Sequence, residues 1–214
     1  MLVPPPPVPS GGATSTSFYE RWTKPAIDRF AAFVLLVLTV PVLLVVALAV
    51  LITLGAPVLY RQRRVGRDGH VFRVWKFRTM HPDRRCAEVP VPVERRICHK
   101  RKDDPRHTRT GSLLRRWRLD ELPQLANVLA GHMSLVGPRP ELVEIVRLYE
   151  PWQHERHAVK PGITGLWQVS TEPRFGLMHE HTELDLAYVE RVSLRTDLRI
   201  LLRTVTCLLA RNGR

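Results

Sequence analysis

Between Ala31 and Leu54 the chain runs for 24 residues, AAFVLLVLTVPVLLVVALAVLITL, without a charged side chain. A straight helix of that length covers about 36 Å, enough to cross a hydrocarbon core of about 30 Å. The ordinary reading is a transmembrane helix. Two features oppose it. Pro41 stands near the middle, where it removes a backbone hydrogen bond and crowds the preceding turn. Basic residues also flank both ends, Arg21, Lys24 and Arg29 before the run and Arg61, Arg63, Arg64 and Arg67 after it. Lys and Arg concentrate on cytoplasmic flanks, so the pattern asks for both ends on one side. A helix bent at Pro41, with arms of about 15 and 20 Å, enters the bilayer and returns. Thr39 is placed to serve a backbone group freed by the proline. On this physics alone the spanning and re-entrant forms both stand, since prolines also occur in helices that cross.

The remainder has the size of one domain with appendages: the chain is 214 residues long. Its 33 Lys and Arg against 20 Asp and Glu give a formal charge of +13, which predicts anionic partners such as nucleic acid, anionic lipid or phosphorylated small molecules. Cys86, Cys98 and Cys207 are too few and too scattered for a disulfide framework, and read as free thiols in a reducing compartment. Residues 1–17, MLVPPPPVPSGGATSTS, cannot bury enough apolar surface to fold and read as a disordered tail. The apolar run follows too late for a signal peptide. At the other end, LRTDLRILLRTVTCLLA spaces its leucines helically, with Arg195, Arg199 and Arg203 every four residues. Such a helix either lies in the headgroup region or packs on the domain with a solvated basic face.

After Tyr60 the pattern changes. RVGRDGHVFRVWKFRTM reads as a hairpin turning at Arg67-Asp68-Gly69, with alternation through Val71, Arg73, Trp75 and Phe77. Lys76 and Arg78 lie on one strand face, suited to a phosphate site or to a solvated edge. Residues 81–107 have no steady period and read as an irregular loop with at most one short helix. Helical signals return at Gly111–Arg118, Pro123–Leu129, Glu141–Tyr149 and Glu180–Glu190, separated by prolines 138, 140, 151 and 161.

The stretch RRWRLDELPQLANVLAG puts two carboxylates, Asp120 and Glu121, directly after Arg115, Arg116 and Arg118. With Pro123 three residues on, Asp120 suits a helix N-cap and Glu121 a favourable partner for the helix dipole. The functional reading starts from the same place. A helix N-terminus and nearby arginines welcome a phosphate and keep a carboxylate ionised. An ionised Asp beside a phosphate can hold a divalent cation or attack phosphorus. Further on, GPRPE presents Arg139 between two prolines, with Glu141 after it, either as a rigid fork for phosphate or as a turn paired with a nearby acid.

Taken in order, the apolar run with its central proline, RQRRVGRDGHVFRVWKFRTM, DPRHTRTGSLLRRWRLDELPQLANVLAGHMSLVGPRPE, KPGITGLWQV and ELDLAYVE resemble the bacterial sugar transferases, the monotopic polyprenyl-phosphate phosphoglycosyl transferases. The similarity runs from about Lys24 to Leu209. The resemblance implies transfer of sugar-1-phosphate from a UDP-sugar to a polyprenyl phosphate with release of UMP, the first membrane step of exopolysaccharide, capsule or O-antigen assembly. It implies Asp120 as the nucleophile that carries the phosphosugar, and Glu121 as a ligand of a required Mg²⁺. It implies phosphate binding by Arg115 and Arg139, with Lys76, Glu141 and Asp185 at other motif positions. It also implies an α-dominated α+β fold with three parts. These are the tail at 1–17, a re-entrant membrane helix at 18–60 broken at Pro41, and a catalytic domain at 61–210 with a short β-hairpin and interfacial amphipathic helices. That domain is expected on the cytoplasmic face of the bacterial inner membrane. Two departures stand out: Val40 occupies the position of the family's serine before the proline, and STEPRFGLMHEH replaces an Asn-Gly-Arg-Asn-type loop, with Arg174 as a substitute arginine. The alternatives are a nucleic-acid binder or a non-catalytic basic scaffold at the membrane. The first fits the charge but not the apolar run, so no nucleic-acid partner is expected; the second leaves the acidic pair without a purpose.

Overall fold

A computed structural model describes residues 17–81, 106–170 and 181–212. The expected tail lies almost wholly outside the described residues, as do most of the loop expected at 81–107 and Arg174.

A π-helical turn at Tyr19–Thr23 leads into α1, Lys24–Leu54. One stripe of α1 packs on the rest of the molecule from end to end. Lys24, Asp28, Ala32, Val46 and Val50 are buried, and Leu36, Thr39, Leu43, Ala47 and Leu54 are half-buried between them. Steps of three and four residues keep these positions on a single helix face. The opposite face leaves Phe33, Leu38, Leu44, Val45, Leu48 and Ile52 exposed. The near half joins a core of Ala32, Val74, Leu125, Val128 and Met133. The far half joins a second cluster, Val46, Val50, Phe77 and Leu114. Both ends of the apolar helix therefore rest on the same domain.

The break expected at Pro41 does not interrupt the helix, which continues through it as one element. Thr39 does not serve the carbonyl that the proline frees, that of Val37. Its hydroxyl donates to Leu35 O at 2.7 Å and Leu36 O at 3.3 Å, a back-bonding that bends helices rather than ending them.

Strands β1, Leu59–Val65, and β2, Val71–Phe77, form the expected hairpin, in register from Leu59 opposite Phe77 to Val65 opposite Val71. Asp68 takes the left-handed conformation at the turn (φ 53°), which Asp tolerates. The open edge of β2 is closed by one side chain: Asn127 accepts from Trp75 N at 3.1 Å and donates to Arg73 O at 2.8 Å.

Helix α2, Arg109–Arg116, is capped by Thr108, and α3 spans Gln124–Leu129. Strand β3, Ser134–Val136, pairs in parallel with β5, Gly162–Thr164. The two backbones approach so closely that a Cβ on Gly162 would lie 2.1 Å from Gly137 N. The segment expected to be helical from Glu141 begins instead as β4, Glu141–Leu142, which pairs with β1 before a single turn, α4, at Val143–Val146. A 3₁₀ segment at Pro151–Ala158 follows, started by Pro151 and a capping box between Glu150 and Gln153. The chain then forms α5, Leu166–Val169, α6, Thr182–Val189, and α7, Leu194–Asn212.

Helix α7 packs on the domain, as one reading of its sequence expects, and leaves its other face exposed. Ile200 packs into a core with Val136, Val159, Val169 and Tyr188. Leu194, Leu198, Leu202, Val205 and Leu209 form an exposed apolar stripe, with Arg195, Arg199 and Arg203 exposed beside it. A buried polar cluster ties α7 to the start of α1. Lys24 Nζ lies 2.6 Å from Asp197 Oδ2, and Asp197 also accepts from Tyr19 at 2.7 Å and Tyr188 at 2.8 Å. Asp28 accepts from Ser134 at 2.6 Å.

Removing one partner of a buried ion pair strands the other, at about 3–5 kcal/mol. Lys24 keeps a second partner, Asp28 at 3.5 Å, so Asp197→Ala should lower thermal stability by up to about that amount in detergent-solubilised protein. Equal stability of Asp197→Ala and the unaltered chain would refute the clamp.

Candidate active site

The acidic pair sits where three segments meet. After α2 the chain reverses through Arg118, in the left-handed conformation (φ 54°), and enters a single 3₁₀ turn, Leu119–Glu121. Asp120 does not cap α3: that helix starts after Pro123 and has no side-chain cap. The capping reading of Asp120 is thereby removed. Both carboxylates are buried, each about 8% exposed, which is costly unless the charge is partnered or used.

The two partners differ. Glu121 Oε1 accepts from Lys76 Nζ at 2.7 Å and from Arg139 Nη2 at 2.6 Å. Its other oxygen lies 4.0 Å from Arg118. Burial works to raise its pKa, but Arg139 and Lys76 override that and hold it well below the usual carboxylate range. Asp120 forms no ion pair among the described residues. Burial, followed by the charge of Glu121, pushes its pKa up against the opposing pull of Lys76 and Arg139. The arginines near it in sequence thus do not dominate its ionisation. The result is one carboxylate fixed as an anion and a neighbour left energetically unsatisfied, the pairing of environments that separates chemical roles.

The other expected residues divide sharply. Lys76 from β2 and Arg139 from the Pro-Arg-Pro turn converge on Glu121. Arg78 does not: its guanidinium bonds the carbonyls of Leu54, Gly55 and Ala56 at the C-terminus of α1. Arg115 bonds Thr79 O and Oγ1, each at 3.1 Å, and Ser112 Oγ at 3.2 Å. Glu141 and Asp185 are enclosed, at 0% and 1% exposure, so neither reaches solvent or a substrate. Glu141 pairs with Arg64 at 3.5 Å and Asp185 with Arg156 at 2.5 Å.

Arg64 and Arg156 were not singled out by sequence. Burial, with the charge of Arg139 adding to it, lowers the Arg64 pKa to about 10. Arg156 is buried too, with Tyr149 OH 2.5 Å from its Nη1. Both arginines bond the backbone of the Pro-Arg-Pro turn: Arg64 Nη1 donates to Pro140 O at 3.1 Å and Arg156 Nη2 to Arg139 O at 2.8 Å. Gly162 N donates to Pro138 O at 2.8 Å. Three successive carbonyls are thereby fixed, and the KPGITG motif acquires a purpose: its glycines let β5 approach the turn.

The donor set suits a hard cation only in part. Among the described residues no group of three or more His, Cys, Asp or Glu side chains forms a metal cage. Asp120 and the second oxygen of Glu121 offer oxygen ligands, which fits Mg²⁺ in its common mode of one or two carboxylates completed by water and substrate phosphate.

The family model described as bacterial sugar transferase matches residues 19–211, almost the whole chain and every residue of this site. The chain belongs to the bacterial sugar transferase family. Among its relatives, the sugar transferase EpsL of Bacillus subtilis is 40% identical over 190 residues, covering 89% of each chain. The UDP-glucose:undecaprenyl-phosphate glucose-1-phosphate transferase of Escherichia coli is 39% identical over 201 residues, 90% of this chain and 41% of that one. Galactosyl transferase CpsE of Streptococcus agalactiae is 40% identical over 162 residues, 74% of this chain and 36% of CpsE. The chain thus spans well under half of two of these relatives and most of the third.

A carboxyl whose folded pKa is raised costs stability once pH exceeds its unfolded value of about 3.9, and the full cost is present above the folded value. Asp120→Asn removes that cost, so its melting temperature at pH 7 should exceed that of the unaltered chain, with the gap closing at acid pH. Glu121 has the opposite sign: its contribution is present above about pH 4.3 and is lost as pH falls through its folded value. Glu121→Gln should therefore melt lower at pH 7. A destabilised Asp120→Asn would mean that the Asp120 carboxylate serves the fold.

Proposed function

We propose that this chain is a phosphoglycosyl transferase that moves sugar-1-phosphate from a UDP-sugar to undecaprenyl phosphate in exopolysaccharide assembly. The observation that carries the reading is the asymmetric pair: a buried Asp120 with no ion partner among the described residues beside a Glu121 held by Lys76 and Arg139. The names of relatives support the substrates, since several are UDP-glucose:undecaprenyl-phosphate glucose-1-phosphate transferases and one is an exopolysaccharide production protein, PSS, covered over 96% of its length.

In this reading Asp120 Oδ attacks the β-phosphorus of the donor. The bond from that phosphorus to the bridging oxygen breaks, and UMP leaves with the electron pair. An oxygen of the polyprenyl phosphate then attacks the same phosphorus, the P–O bond of the Asp120 acyl phosphate breaks, and the carboxylate is restored with a polyprenyl-diphosphate sugar as product. The raised pKa of Asp120 marks a carboxylate poorly solvated by the protein and so a better nucleophile. Arg139 and Lys76 set the position and charge of Glu121, and offer cations to the donor phosphates as they enter. Asp120 and Glu121 would hold Mg²⁺, which when bound neutralises diphosphate charge.

The same reading makes the protein monotopic. A helix that crossed the bilayer would carry its ends to opposite faces, whereas the buried stripe of α1 rests on one domain from Lys24 to Leu54. The outer face of α1 and the leucine and arginine rows of α7 are the surfaces available to lipid. An active site at the inner-leaflet headgroups meets both the lipid phosphate and the cytosolic nucleotide.

Full-length protein in lipid nanodiscs, given undecaprenyl phosphate, Mg²⁺ and a panel of UDP-sugars, should release UMP with at least one sugar. Asp120→Asn should lower that rate by at least about 10³-fold, in the range for loss of a nucleophile. No release across the panel, or near-normal turnover by the variant, would overturn the reading. For topology, cysteines placed at Ser17 and Arg63 in a chain lacking its three native cysteines should both resist membrane-impermeant maleimide added outside intact cells. Labelling of one alone would place the ends on opposite faces.

A further inference from the structure

We infer that two arginine–carboxylate pairs, Arg64–Glu141 and Arg156–Asp185, are positioning devices that hold the Pro138-Arg139-Pro140 turn and thereby aim Arg139 at Glu121. The inference rests on the reading above for its kinetic test only; the geometry stands apart from it.

The turn needs such devices. Prolines 138 and 140 have no N–H, so the segment cannot enter a regular ladder, and its carbonyls must find partners elsewhere. They find three: Gly162 N for Pro138, Arg156 for Arg139 and Arg64 for Pro140. A neutral donor would satisfy the carbonyls equally well. The chain instead commits two full charges, Arg156 buried and Arg64 half-buried, each with its own buried carboxylate, from four separate places: β1, β4, the 3₁₀ segment Pro151–Ala158 and α6. A guanidinium is suited to this task, because its planar fork can bond a carboxylate and a carbonyl at once in fixed relative directions. Arg156 Nη2 donates to Arg139 O at 2.8 Å and forms an ion pair with Asp185 Oδ2 at 2.5 Å, while its other end meets Tyr149. Arg64 Nη1 donates to Pro140 O at 3.1 Å and lies at ion-pair distance, 3.5 Å, from Glu141 Oε1, while its other nitrogen donates to Gln62 Oε1 at 2.7 Å.

The consequence is a changed assignment. Glu141 and Asp185 have no route to a substrate and are not contact residues. Each orients an arginine, each arginine fixes a carbonyl beside the Arg139 side chain, and Arg139 sets Glu121. Supporting residues of this kind affect activity by about 10–100-fold without touching the reacting atoms.

Lysine keeps the charge of Arg156 but cannot bond Asp185, Tyr149 and the Arg139 carbonyl together. Arg156→Lys should therefore lower kcat/KM for UMP release by about tenfold or more. In an Arg139→Lys background, where the side chain to be aimed has already changed, the same substitution should cost less than about twofold, since residues acting through one another are not additive. The fall in melting temperature should be the same in both backgrounds, because the Arg139 backbone carbonyl is present in each. Arg64→Lys should behave alike. An equal loss of activity in both backgrounds would make the arginines merely structural, and unchanged kcat/KM in folded Arg156→Lys would refute the inference. A second measurement needs no turnover. In arginine-labelled protein in nanodiscs, the guanidinium NMR signal that Arg139→Lys removes should exchange slowly with solvent, and exchange faster after Arg156→Lys. Unchanged exchange would refute the positioning role even if no UDP-sugar in the panel is a substrate; absence of turnover with the expected exchange would refute the proposed function alone.

Discussion

One carboxylate oxygen joins the working parts of this molecule. Glu121 Oε1 takes both Lys76 from the hairpin and Arg139 from the Pro-Arg-Pro turn, and the residue itself sits on the 3₁₀ turn between α2 and α3. Three segments far apart in sequence are thus brought to one atom. Charge-assisted hydrogen bonds of this kind in a buried setting are strong and directional, and they tolerate little displacement. With Glu121 so engaged, the adjacent Asp120 has no ion partner among the described residues.

The rest of the fold can be understood as scaffolding for that atom. The hairpin delivers Lys76, and its exposed edge is sealed by Asn127 rather than by another strand. The parallel pair β3–β5 carries the turn, brought close by glycines whose place no side chain could take. The long apolar helix lies under the domain, stapled near its start by Lys24 and Asp28 and at its end by the guanidinium of Arg78. The site is fixed in this way to the long apolar helix, whose outer face stays exposed.

Much of this was legible in the sequence where a local rule applies. Alternation at Val71, Arg73 and Trp75 gave the hairpin, the apolar run gave α1, and leucine spacing gave α7. The motif resemblance brought out Asp120, Glu121, Lys76 and Arg139, which do meet. What sequence could not supply was anything set by contacts between distant segments. Nothing local says that Arg78 turns to the end of α1, or that β1 captures Glu141 as a strand where a helix was expected. Arg64 was read only as a basic flank of the apolar run and Arg156 not at all, because an arginine in a chain of 33 Lys and Arg carries no signal of burial. Asp185 was picked out by its motif, but only its burial against Arg156 reveals what it does. The capping reading of Asp120 failed because the helix begins later, after Pro123.

The central claim is a covalent bond between the Asp120 carboxylate and a sugar phosphate. It is tested most directly by quenching the enzyme with acid after incubation with the UDP-sugar it turns over, without polyprenyl phosphate, and analysing the protein by mass spectrometry. The account predicts a gain of one sugar phosphate, mapped to the peptide containing Asp120 and discharged when polyprenyl phosphate is added before the quench. An unmodified peptide under conditions that support turnover would contradict it.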